Sequence, residues 1–114
     1  MKNTMEVPAM KVEVVNIEKK IEEFVRKMEK EGYGVWFEDE EKIVLGKVLY
    51  EGGHNGELQD WEELTINKES GEVVRTYGTN RSVPGWSLCE ACGEWYSYNE
   101  EGLHENCKPE RFKL

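Results

Sequence analysis

The chain has 114 residues, of which 24 are Asp or Glu and 15 are Lys or Arg, giving a net charge of −9. That length suits one small domain with little surplus core, and that charge is repelled by phosphate backbones and anionic lipid, which favours protein partners, basic ones above all. No apolar run approaches the roughly 20 residues of a membrane span and the N-terminus lacks the apolar stretch of a secretory signal, so the expected setting is soluble, cytoplasmic and reducing.

In chain order, Met10-Lys-Val12-Glu-Val14-Val15 alternates apolar and polar residues and predicts an opening strand. Asn16 then offers an N-cap oxygen, and Ile17, Ile21, Phe24, Val25 and Met28 fall on one stripe of a helix that Gly32 ends. Tyr33 to Glu38 and Ile43 to Tyr50 are β-rich runs joined by the polar turn Asp39 to Lys42. Trp61 to Asn67 and Glu72 to Tyr77 make a second hairpin, with Gly71 where the turn needs a left-handed residue. Between the hairpins, Gly52-Gly-His54-Asn-Gly56 reads as a flexible joiner in which His54 has no acid–base partner in view.

The fold class that follows is α+β: one helix packed on an antiparallel sheet, β-α-β-β-β-β, with a small C-terminal zinc-binding module. Ile21, Phe24, Val25 and Met28 are expected to face Val35, Phe37, Val44, Val48, Leu64, Ile66 or Val74. The expected organisation is a domain over residues 1–77, a linker over 78–85 marked by Pro84 and Gly85, and the zinc module over 86–114. The hairpin over 61–74 resembles the strand–turn–strand of small helix-on-sheet modules such as the PepSY domain, a likeness that implies the fold alone.

All three cysteines fall within Cys89-Glu-Ala-Cys92 and His104-Glu-Asn-Cys107. A C-x2-C pair and an H-x2-C pair across a short gap have the spacing of a tetrahedral Zn2+ site. Three thiols would leave one unpaired as disulfides, and a thioredoxin-like redox pair would open a helix rather than precede Gly93, Trp95 and Tyr96. Residues 89–107 thus resemble a C2HC zinc finger or single zinc ribbon, which implies Zn2+ as cofactor with Cys89, Cys92, His104 and Cys107 as ligands. Tyr96 stands where such fingers carry their core aromatic, with Leu103 as its packing partner. The last spacing departs from DNA-reading fingers, and the segment holds five Glu and no Lys or Arg. Four ligands also close the site, leaving no position for a catalytic water.

Trp86, Trp95, Tyr96 and Tyr98 crowd this module, either as its miniature core and its seam with the sheet or as anchors for a protein partner; Trp86, Trp95 and Tyr98 are the candidates for the second role. No nucleophile–base pair and no phosphate-cradling glycine loop is present, so no catalytic residue is expected. The expected function is a small acidic zinc-stabilised protein-interaction module, an adaptor or inhibitor. A chain this acidic can also act by imitating nucleic acid in a basic cleft, as some viral antagonists do. The alternative is a nucleic-acid-binding regulator, which would have to use Arg75, Arg81, Lys108, Arg111 and Lys113.

Overall fold

The computed structural model describes residues 3–97, 104 and 106–114, with side chains described from Asn16 onward. Helix α1 spans Asn3–Lys30 and is followed by β1 (Gly34–Glu38), β2 (Lys42–Gly52), β3 (Leu58–Asn67), β4 (Glu72–Thr79), β5 (Trp86–Leu88), β6 (Trp95–Ser97) and β7 (Glu110–Lys113). Five strands form one antiparallel sheet in the order β1-β2-β3-β4-β7, and β5 pairs with β6 in a separate ribbon. One helix on an antiparallel sheet, with a Cys/His cluster near the C-terminus, is therefore the architecture. Among the described residues no helix is long and apolar enough to cross a membrane.

The order of elements differs from expectation at both ends. Residues 10–15 are helical, not a strand, and Asn16 caps nothing because α1 runs through it. Six residues of mixed polarity do not separate the two periods. A helix already nucleated around Ile21 and Met28 gains one hydrogen bond for each residue it adds, whereas a strand over residues 10–15 would have to break that run before it could pair with any sheet edge. The edge beside β4 belongs to β7, with Val73 opposite Phe112 and Arg75 opposite Glu110. Residues between β4 and β7, the finger among them, are thus an insertion within the sheet's own connectivity.

Gly32 ends α1 as its position implies. At φ 101° it lets Gly32 N–H bond the Glu29 carbonyl at 3.2 Å and Tyr33 N–H bond the Met28 carbonyl at 3.0 Å, closing the last turn. The two hairpin turns are built by their Asx residues: Asp39 Oδ1 accepts from the amides of Glu41 and Lys42, and Asn67 Oδ1 from those of Glu69 and Ser70. Gly71, at φ 76°, then turns the chain into β4.

The core sets Ile21 and Met28 of α1 against Ile43, Leu45, Leu64, Ile66 and Val73, with Ile17, Phe24, Val25, Tyr33, Phe112 and Leu114 around it. Leu64 and Ile66 face inward as expected. Val44 and Val74 do not: both pair with Thr65 on the outer face, as Val48 pairs with Trp61 there. Val35 and Phe37 are 46% and 50% exposed. Ile43-Val44-Leu45, Val73-Val74 and Val35-Trp36-Phe37 are apolar at both parities, so period two carries no information there, and the longer side chains Ile43 and Leu45 take the inner row. A bulge between Val35 and Phe37 shifts β1 further.

Only half of the inner face is apolar. Along β3 the inward residues run Ile66, Leu64, Glu62, Asp60, all buried. The helix covers the first two. Glu62 accepts a hydrogen bond from the Tyr33 hydroxyl just past the helix end, and Asp60 belongs to the finger.

Candidate metal centre

The finger begins as a tight ribbon. Trp86, Ser87 and Leu88 lie opposite Ser97, Tyr96 and Trp95, and the chain reverses between them through Cys89 N–H to Glu94 O and Gly93 N–H to Cys89 O, both 2.8 Å. Gly93 adopts φ 78°, and a Cβ there would stand 2.8 Å from the Tyr77 ring, so only glycine lets the knuckle settle on β4. A second turn, closed by Cys107 N–H to His104 O at 3.2 Å, brings up the other pair.

Together the two turns place one ligand atom each from Cys89, Cys92, His104 and Cys107 within 4.8 Å of one another. His104 Nδ1 lies 3.4 Å from Cys92 Sγ and 3.4 Å from Cys107 Sγ. A tetrahedral ion with metal–sulfur bonds of about 2.3 Å and metal–nitrogen bonds of about 2.0 Å needs N···S edges of roughly 3.5 Å. The donor set fits, and these four residues can hold a metal ion through Nδ1 and three sulfurs. Tyr96 stacks on the imidazole, ring centroids 4.7 Å apart, which fixes the ring plane. Leu103, its expected partner, lies outside the described residues.

The thiols of Cys89 and Cys107 differ in how readily they ionise. Burial of Cys89, 7% exposed, opposes its thiolate, yet the amides of Cys92 and Ala91 and the neighbouring thiols hold it below the ordinary thiol value. Cys107 goes the other way, pushed up to about 11 by desolvation and by the sulfurs of Cys92 and Cys89 beside it. Three sulfurs this close can all be thiolates only around a positive ion.

The finger is fastened to the sheet by a polar cluster that no motif announces. Arg81 grips Asp60 with two hydrogen bonds, Nε to Oδ1 at 2.9 Å and Nη2 to Oδ2. Thr79 Oγ1 donates to Asp60 Oδ1 at 2.5 Å and Trp95 Nε1 to Oδ2 at 3.2 Å. The guanidinium lies 4.0 Å from the Tyr50 ring centroid and 4.9 Å from that of Trp95, so β2, β3 and the finger meet on one arginine. Its signal in the sequence is slight: Asp60 is one of only two Asp in a chain that otherwise uses Glu.

Burial of Asp60 opposes ionisation, but the bonds from Arg81, Thr79 and Trp95 outweigh it and hold the carboxyl below its usual 3.8. A depressed carboxyl stabilises the folded chain above the unfolded pKa, and that contribution disappears as pH falls through the folded value. Asp60→Asn should therefore be less stable than the unmodified chain by a constant amount from neutrality to about pH 5, with the gap closing below about pH 4. Urea unfolding across that range measures it; a gap that persists unchanged at pH 2 would mean the carboxylate charge is not what matters.

Of the aromatic candidates, Trp86 is 47% exposed, Trp95 is half-buried and bound into the Asp60 cluster, and Tyr98 lies outside the described residues. His54 sits in an exposed 3-10 turn, His54–Gly56, away from the cysteines. The exposed aromatic that sequence periodicity misplaced is Phe37, and Trp36 beside it is 46% exposed. The available signal was that three consecutive apolar residues in a short strand cannot all face one side. No protein-family model, curated protein or solved structure matches this chain.

Proposed function

We propose that this protein is a small acidic protein-interaction module, an adaptor or inhibitor, whose finger is held by Zn2+. The observation that carries the reading is the outer face of the sheet. Helix α1 and the finger both engage inward residues, and the other face keeps Trp36, Phe37, Val44, Val48, Trp61 and Val74 around Glu63, Thr65 and Thr76, with Trp36 and Phe37 half-exposed at its margin. A solvated antiparallel face ordinarily alternates to polar residues. An aromatic one, rimmed by a chain of net charge −9, suits a partner with a basic surface.

Three thiolates and an imidazole favour Zn2+ over harder ions, and a four-residue set makes the site structural. The ribbon β5–β6 has three residues per strand, too few to stand without such a staple. Nucleic acid is poorly served by the basic residues: Arg75 lies near Glu62 and Glu110, Arg81 grips Asp60 and Arg111 bonds Glu72.

At about 0.15 M salt, where long-range repulsion is already screened, the protein should shift no labelled duplex or single strand. A partner captured from the source cell should be lost by Trp36→Ser with Phe37→Ser, both exposed changes that leave the core intact. Micromolar affinity for nucleic acid that depends on Lys108 and Lys113 would overturn this reading.

A further inference from the structure

The two edges of the sheet are not alike. β7 is Glu-Arg-Phe-Lys, charged at three of four positions, which is how natural edges refuse further strands. β1 is Gly-Val-Trp-Phe-Glu, charged only at its last residue, with Val35, Trp36 and Phe37 each at least 46% exposed. It pairs with β2 alone, and no described residue bonds its outer side. Resting on the protein-interaction reading, we propose that the β1 edge accepts an extended, basic segment of the partner protein as a sixth strand of the sheet.

Charge selects that occupant. Glu31 precedes the strand, Asp39, Glu40 and Glu41 follow it, and the groove beside its end is lined by Glu18, Glu22, Glu38, Glu40 and Glu69 against Lys68, which Glu38 already holds at 2.8 Å. A peptide carrying Lys or Arg at the end beside Glu38 meets this carboxylate cluster, whereas at the Gly34 end Lys47 Nζ already bonds the Glu31 carbonyl at 2.9 Å. The rings also receive cations: Lys42 Nζ lies 5.6 Å from the Phe37 centroid, on a ring still half-exposed. A second copy fits badly. An antiparallel copy of β1 would join two chains of −9 each. The bulge between Val35 and Phe37 keeps the regular stretch short, which suits a peptide better than a long seam between sheets. Main-chain bonds would then supply affinity, and the exposed side chains specificity.

The test titrates isotope-labelled protein with a synthetic heptapeptide alternating Val with Arg or Lys. Its companions are the same peptide N-methylated at alternate residues and a version with Glu for every base. The basic peptide should slow amide exchange and move signals at residues 34–38. N-methylation should weaken it about tenfold or more, since it removes the bonding amides, and the acidic peptide should not bind. No binding at millimolar peptide, shifts confined to the finger or the outer face, or an N-methylated peptide that binds equally well would each overturn strand addition. Protection of 34–38 that grows with protein concentration alone would give the edge to a second copy and overturn it too. If strand addition fails while the captured partner still depends on Trp36 and Phe37, the interaction reading stands; loss of both removes both.

Discussion

Cys89→Ser should unfold the finger and leave the helix-on-sheet core standing. Cys89 is the buried one of the four candidate ligands, held by the knuckle amides and packed where the ribbon meets β4. Metal binding supplies apparent free energies of about 10–16 kcal/mol to small fingers, and that energy is folding energy where no preformed core exists. Amide protection over β5 and β6 should collapse in this variant, and in the unmodified chain on adding a chelator, reversibly. β7 should loosen with them. Without a metal to tie Cys89 to Cys107, the whole of residues 80–109 would be one open loop that must close before β7 can pair, and a longer loop closes at a higher entropic cost. α1 and β1 to β4 keep Ile21, Met28, Leu45 and Leu64 among themselves and should retain their protection. Loss of protection in α1 together with the finger would show one cooperative unit instead.

Leu64→Ala should cost about 3–5 kcal/mol, because the side chain is 0% exposed at the centre of the inner row and its removal leaves a cavity there. Domains of this size hold roughly 5–15 kcal/mol in total, so the variant should melt far below the unmodified chain. A paired comparison tests the register itself. Val73 is 0% exposed against α1, while Val74 is half-buried on the outer face. Val73→Ala should be strongly destabilising and Val74→Ala mild, as denaturant midpoints at unchanged slope will show. The opposite ranking would mean that β4 is displaced by one residue, which moves every side chain to the other face.

What the sequence makes legible here follows from how local each signal is. The helix stripe, the two hairpin turns and the glycines at 32 and 71 act on their own neighbours, and each appears where residue type and spacing place it, though the Asx bonds of Asp39 and Asn67 were not read from the sequence. The four candidate ligands were likewise legible, since each pair is closed by one turn. Parity in β1, β2 and β4 was not, because runs such as Ile43-Val44-Leu45 are apolar on both sides and only packing against α1 chooses between them. β7 is short and charged, and its strand state depends on β4 offering an edge thirty-odd residues away in sequence. The Asp60–Arg81 clamp spans 21 positions and joins three elements, so no local pattern could reveal it. Trp95 shows the consequence: a tryptophan beside a cysteine knuckle reads equally as anchor or as seam until Asp60 is placed next to it.

The most direct test of a metal-held finger is native mass spectrometry of protein purified without added metal, followed by nitrogen-detected NMR of His104. One Zn2+ per chain is expected, with Cys89, Cys92 and Cys107 unreactive to alkylation until a chelator is added, and with His104 carrying its proton on Nε2 because Nδ1 faces the sulfurs. A chain that is metal-free as purified, with all three thiols freely alkylated and an ordered finger, would contradict it.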